Sequence, residues 1–220
     1  MRCESLYGCV KDLGKALLLV LLSVLPLKAD PASIVAFGDS LTQGYGLAAD
    51  DGFVPQLQRW LVEEGVDATL INAGVSGDTT TGGAARIDWA LGNDVDAMIV
   101  ALGGNDMLRG TDPTVSRKNL SSILKAAQDR GIDVLLVGMK AAGNYGPDYK
   151  TQFDNMYTEL AQEYGVLFNE NFFSGLGSVD LTNVSKYMQQ DGIHPNTEGV
   201  ALIVKALGPD VMRLVDGLDG

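Results

Sequence analysis

Apolar positions along this chain follow two alternating rhythms. Short, mostly unbroken apolar runs at residues 34–37, 68–73, 97–102, 134–139 and 166–168 are rich in β-branched side chains and read as strands. Between them the apolar residues return at helical spacing. Residues 53–64 place Phe53, Val54, Leu57, Trp60 and Leu61 on one face and stop at Gly65. Helices are likewise predicted from Thr79 to about Ala90, over 115–130 with Leu120, Ile123, Leu124 and Ala127 facing inward, and over 152–164. The terminal helix is predicted from Thr197, with a break near Gly208-Pro209 and a continuation to about Leu218. Strand runs without polar alternation, each followed by a helix, predict an α/β fold: a five-stranded, mostly parallel sheet in a three-layer α/β/α sandwich. No domain boundary interrupts the alternation.

The first strand stops abruptly at Gly38-Asp39-Ser40-Leu41. Ligands of open α/β sheets bind beyond the carboxyl ends of the strands, so Ser40 stands where a nucleophile would stand. Asp39 and Ser40 also suit the plainer task of capping a following helix. The second strand runs into Asn72-Ala73-Gly74 and the third into Gly103-Gly104-Asn105-Asp106, which puts Gly74 and Asn105 at the same sheet edge. The single histidine, His194, lies in Gln190-Asp191-Gly192-Ile193-His194-Pro195-Asn196, just before the last helix.

Acyl transfer would use each of these residue types. A serine hydroxyl is a weak nucleophile until a base takes its proton, and His194 is the one imidazole available. The imidazole in turn needs a carboxylate to set its tautomer and stabilise its charged form; Asp191 lies three residues away across a glycine turn. A developing oxyanion needs fixed donors, for which the Ser40 and Gly74 backbone N–H groups and the Asn105 amide are candidates. Taken singly, each has a structural reading as well: a loop histidine, a turn glycine, a turn-forming asparagine, a capping aspartate.

Taken together, the blocks resemble those of the GDSL, or SGNH, hydrolases. Gly38-Asp39-Ser40-Leu41, Asn72-Ala73-Gly74, Gly103-Gly104-Asn105-Asp106 and Asp191-Gly192-Ile193-His194-Pro195 match that family's blocks in order and spacing. Gly77-Asp78-Thr79, residues 103–110 and Asn144-Tyr145-Gly146 are similar to the bacterial thioesterase I, lysophospholipase and arylesterase subgroup. The resemblance implies a flavodoxin-like fold and a serine esterase acting on acyl or aryl esters, lysophospholipids and thioesters. It also implies the roles: Ser40 as nucleophile, His194 as base, Asp191 as its partner, and Ser40, Gly74 and Asn105 as the oxyanion hole. The G-x-S-x-G elbow of α/β-hydrolases is absent, because Thr42 holds the place of its final glycine.

Composition changes this picture in two respects. The 220-residue chain begins with Arg2, Lys11 and Lys15, then the ten-residue apolar run 16–25, then Leu27-Lys28-Ala29. That order predicts a secretory signal peptide over 1–29, cleaved near Ala29, and hence a periplasmic or secreted domain over 30–220. The run is too short to span a bilayer, which takes about 20 residues. Both cysteines, Cys3 and Cys9, precede it, so the mature chain would carry no disulfide and no thiol nucleophile. Cleavage would remove four basic and two acidic residues, taking the formal charge from −12 to −14. Such a surface disfavours nucleic acid and other polyanions, acyl-CoA included. With a single histidine, no metal and no cofactor is expected. A nucleotide-binding reading fails because no Gly-Lys-Ser/Thr follows the glycines after Gly38. A carbohydrate deacetylase of the same superfamily and a non-catalytic binding module are the rival readings. Two tryptophans, Trp60 and Trp89, offer little aromatic platform for a sugar.

Overall fold

The apolar run after Pro31 forms β1 (Ala32–Gly38), with Ile34 through Phe37 buried. A computed structural model describes residues 31–92, 94–177 and 183–219; the signal peptide expected over 1–29 lies outside them. One helical turn, α1 (Ser40–Gln43), follows β1 directly, capped by the Asp39 carboxylate, which accepts the Leu41 N–H. Then come α2 (Phe53–Glu63), β2 (Ala68–Gly74), α3 (Thr80–Ala90), β3 (Ala97–Ala101) and the short α4 (Gly104–Leu108). The remainder is α5 (Pro113–Gln128), β4 (Asp133–Val137), α6 (Pro147–Tyr164), β5 (Leu167–Asn169), α7 (Ser174–Gly177) and α8 (Thr197–Asp216). Side-chain caps start three of the longer helices as well: Thr79 for α3, Asp112 ahead of Pro113 for α5, and Asn196 for α8.

The sheet has the order β2-β1-β3-β4-β5 with every pairing parallel. Helices α2 and α8 pack together against it, and α3, α5 and α6 form a second packed group. The chain leaves β1 for β2 on one side and then crosses to β3 on the other. The crevice between the ends of β1 and β3 is therefore the topological switch point where sheets of this flavodoxin-like order bind ligands. Register fixes the level of the ends: Gly38 pairs with Gly74 on one side and Ala101 on the other. The residues that follow each of these three positions emerge at one edge.

Two expectations change. The terminal helix does not break at Gly208-Pro209; α8 runs through it. A proline costs about 3 kcal/mol inside a helix, chiefly by leaving the carbonyl four residues back unpaired. Here Pro209 and Lys205 lie on the exposed face of the helix. The apolar stripe Val200, Ile203, Val204, Leu207, Val211, Leu214 continues across the proline and holds the helix down. Gly208 is required there by packing, since a Cβ would lie 2.4 Å from the Trp60 ring. The other change is β2, an edge strand with Thr69, Ile71 and Asn72 exposed. Gln58 of α2 shields it, its amide donating to the Ala68 carbonyl (2.9 Å) and accepting the Leu70 N–H (2.8 Å). That side chain occupies backbone groups that would otherwise template another strand.

Candidate active site

Each strand end delivers a different piece of the site. Past β1, the tight turn into α1 leaves the Ser40 side chain facing a cavity of about 700 Å³. Past β3, the chain makes a sharp bend at Gly103, whose φ of +120° is a conformation for glycine and whose missing Cβ leaves room for the Tyr157 hydroxyl. Tyr157, fully buried, donates to the Leu102 carbonyl at 2.9 Å and braces that bend. The bend sets Asn105 in the first turn of α4, lining the same cavity. Asp106, beside it, is completely buried and ties α4 to two other helices. Its carboxylate accepts the Thr80 N–H (2.8 Å), the Thr80 hydroxyl (2.6 Å) and the Ser116 hydroxyl (2.9 Å) at the starts of α3 and α5.

The third piece comes from the loop before α8. Asp191 accepts the backbone N–H groups of Ile193 (2.9 Å) and His194 (3.0 Å) on Oδ1. Its Oδ2 lies 2.7 Å from His194 Nδ1, and His194 Nε2 lies 2.8 Å from Ser40 Oγ. A carboxylate only accepts, so Nδ1 carries the proton and Nε2 is left to accept from the serine hydroxyl. The loop is pinned by a bridge between Met188 and Pro195 and by Gln189, whose amide donates to the carbonyls of Tyr45 (2.8 Å) and Pro195 (3.0 Å). The Tyr45 ring lies over the imidazole, 4.7 Å between centroids.

Two carboxylates of this site are shifted in opposite directions. Asp191 is held down at about 2 by its bond to His194 and by the two backbone N–H groups. Burial pushes Asp39 up to about 6, against the opposing pull of the Leu41 N–H, the Asn105 amide and His194.

The structure thus brings together Ser40, Asp191, His194 and Asn105, and it does not bring Gly74 to them. Gly74 does not line the cavity, and its N–H donates to Asn72 Oδ1 at 3.0 Å. The reason is register: Gly74 is still the last residue of β2, level with Gly38, and Ser40 stands two residues farther on. Gly77 does line the cavity, and its carbonyl accepts from Arg109 at 2.9 Å. Two further residues escaped sequence reasoning. Arg86 of α3 donates to the carbonyls of Gly38 and Ala73 (2.9 Å each), pairs with Asp78 at 2.7 Å and stacks on Phe37, so it clamps the ends of β1 and β2. In the sequence Asp39 offers only a possible helix cap, yet its second oxygen lies 3.2 Å from Asn105 Nδ2. Helical spacing on α3 carries a faint signal for Arg86; nothing local signals the Asp39–Asn105 contact.

The rest of the cavity is mainly apolar, with Met107, Leu108, Met139, Phe173, Leu176 and Met188 in its wall and Ser76 a polar exception. Among the described residues no group of three His, Cys, Asp or Glu side chains is placed to hold a metal ion.

A serine hydrogen-bonded to a histidine–aspartate pair, at the switch point of a flavodoxin-like sheet, is the arrangement of a serine hydrolase. The chain belongs to the GDSL-like lipase/acylhydrolase family, whose model matches residues 36–202, and it is an ester hydrolase of that family. It is 35% identical to the esterase TesA of Pseudomonas aeruginosa over 98% of this chain and the whole of that protein. It is 32% identical to the thioesterase 1/protease 1/lysophospholipase L1 of Escherichia coli K12, over 91% of this chain and 92% of that one. Among solved structures, the SGNH-hydrolase family esterase AlinE4 superposes with a TM-score of 0.69 at 38% identity, covering 84% of this chain and 97% of the other.

Proposed function

We propose that this chain hydrolyses carboxylic esters with an apolar acyl or aryl group through an acyl-enzyme formed on Ser40. The observation that carries the reading is the unbroken relay Ser40–His194–Asp191, at 2.8 and 2.7 Å, opening onto an apolar cavity. In the first half-reaction Ser40 Oγ attacks the ester carbonyl carbon while its proton passes to His194 Nε2. The imidazolium so formed is stabilised by Asp191, whose low pKa keeps it ionised at any working pH. The tetrahedral oxyanion is met by the Ser40 N–H, by the Asn105 amide and, in the place expected of Gly74, by the Gly77 N–H. His194 then returns its proton to the departing alkoxide, and the C–O bond breaks. In the second half-reaction water, deprotonated by His194, attacks the acyl carbon and Ser40 leaves with the proton.

The cavity walls favour acyl chains or aryl groups over sugars. Three methionines among them, Met107, Met139 and Met188, are unbranched and conform to chains of differing length. Neither Trp60 nor Trp89 lines the cavity. Lysophospholipids fit as substrates, with the chain inside and the headgroup outside. Thioesters belong to the same chemistry, although the acidic chain repels the polyanionic carrier of acyl-CoA. Export with removal of residues 1–29 completes the proposal, supported by the basic, apolar and small-residue order of that segment. Among the described residues no helix is long and apolar enough to cross a membrane.

The test is a panel on purified enzyme: p-nitrophenyl esters of graded length, a lysophospholipid, acyl-CoA and acetylated xylan, with fluorophosphonate labelling read by mass spectrometry. Labelling at Ser40 and preference for the apolar esters are expected. Labelling elsewhere, or activity confined to acetylated xylan, overturns the reading. An intact Met1 on protein from the extracytoplasmic fraction overturns the cleavage claim, and a cytoplasmic location overturns the export claim.

A further inference from the structure

Asp39 lines the cavity and is 2% exposed, yet the Ser40–His194–Asp191 relay gives it no task. Its Oδ1 accepts the Leu41 N–H at 3.0 Å and starts α1. Its Oδ2 accepts from Asn105 Nδ2 at 3.2 Å. The first bond is ordinary capping, for which asparagine serves as well as aspartate. The second bond is where the carboxylate matters.

A primary amide has two faces of opposite character: Nδ2 carries two donors, Oδ1 only accepts. The side chain can exchange them by a half-turn of its last torsion at little steric cost. An ionised carboxylate is an acceptor with nothing to donate, so it tolerates only the Nδ2 face. With one Nδ2 hydrogen on Asp39, the other remains for the cavity. In the reversed orientation Oδ1 would oppose the carboxylate, and the oxyanion would lose its donor. We propose that Asp39 is a positioning residue for ester hydrolysis, its carboxylate selecting the one orientation of the Asn105 amide that leaves an N–H for the oxyanion. The inference rests on the function proposed above and adds to it a residue that acts through Asn105.

The surroundings suit such a role. Gly104, next to Asn105, has no side chain, and a Cβ there would lie 3.2 Å from Asp39 Oδ2. The charged and titratable groups around Asp39 are His194, which favours its ionised form, Asp78, which opposes it, and the buried Tyr157. Arg86 holds the carbonyl of the peptide just before it. Burial brings the carboxyl up to about 6. Once protonated, Asp39 can donate as well as accept and no longer dictates the amide orientation. Protonation of Asp39 then contributes to the acid limb of kcat.

The experiment is a double-mutant cycle on the full chain with Asp39→Asn and Asn105→Ala, read as kcat and KM on a p-nitrophenyl ester across pH. Asp39→Asn keeps the cap and the shape, but its amide faces Asn105 with a donor and turns it around. We expect kcat to fall by roughly 10²–10³, the cost of one oxyanion donor, with KM nearly unchanged and an acid limb that has lost the Asp39 contribution. In the Asn105→Ala background the same substitution should cost less than about threefold, because its effect runs through a side chain already gone. Wild-type kcat in Asp39→Asn, or an undiminished loss in the Asn105→Ala background, overturns the inference. If Asp39→Asn does not fold, Asp39→Ser, which keeps a capping oxygen, takes its place in the cycle. Fluorophosphonate labelling of Ser40 is expected in every variant; its absence from wild type would sink the hydrolase reading itself, a separate failure.

Discussion

The two flanks of Ser40 are built on opposite plans. On one side, Asp39 and Asn105 stand at the ends of inner strands β1 and β3, with Asp39 2% exposed. On the other, Asp191 and His194 sit in a loop ahead of α8, where the Asp191 side chain is 36% exposed. Each flank holds an aspartate, and their pKa values part to about 6 and about 2. The buried one has two hydrogen bonds and loses to desolvation; the exposed one stays solvated and gathers three. Environment, not residue type, sets which carboxylate is firmly charged at neutral pH. The buried flank holds dipoles that need not move during reaction. The exposed flank carries the proposed base, His194, which in the mechanism above gains and loses a proton in each half-reaction.

The comparison can be broken by substitution, beginning with the base. His194→Ala should cost roughly 10⁶ in kcat, as loss of the histidine does in a comparable serine hydrolase, and so should Ser40→Ala. The chain has no second histidine to substitute. A His194→Ala enzyme with an unchanged acid limb would show that a carboxylate is the base. Asp191→Asn should cost up to about 10⁴ in kcat by mis-setting the imidazole tautomer. A loss confined to KM would make that loop a binding element only.

On the buried flank, Asn105→Ala should lower kcat by about 10²–10³ with little change in KM, and affinity for a trifluoromethyl ketone should fall in proportion. If that affinity is unchanged, Asn105 does not meet the oxyanion.

The smallest effect concerns stability against pH. The Asp39 pKa is raised on folding, so its charge costs stability, and the cost grows as pH rises from about 4 to about 6. A shift from 3.8 to about 6 corresponds to about 3 kcal/mol at neutral pH. Asp39→Asn should therefore be more stable than wild type at pH 7 and nearly equal at pH 4, by denaturant unfolding. The Asp191 pKa is lowered, so its contribution is present above about pH 4 and is lost as pH falls toward 2. Parallel stability curves for wild type and Asp39→Asn from pH 4 to 7 would contradict the burial argument.

Much of this molecule was legible along the chain, for physical reasons. The inner strands β1, β3 and β4 are covered on both faces along their central runs, which must therefore be apolar, and those runs mark them. Helices α2 and α5 announce themselves by apolar spacing, α2 also by its stop at Gly65, and α3 starts at its capping Thr79. Ser40, Asn105, Asp191 and His194 were singled out because reactive residue types at strand ends and in one short turn are placed by local geometry. By itself, then, the sequence determined the layer order of the fold and four candidate residues of the site, Ser40, Asn105, Asp191 and His194. Tertiary structure alone decided the rest, because the energies involved join residues far apart in the chain. Packing of the α8 stripe carried that helix through Pro209, against the local preference for a break. The level pairing of Gly38 with Gly74 turned Gly74 away from the cavity and gave its place at the wall to Gly77. The approach of α4 to the end of β1 set Asn105 against Asp39, a contact spanning 66 positions of sequence, and so gave a capping aspartate a hold on the site's amide.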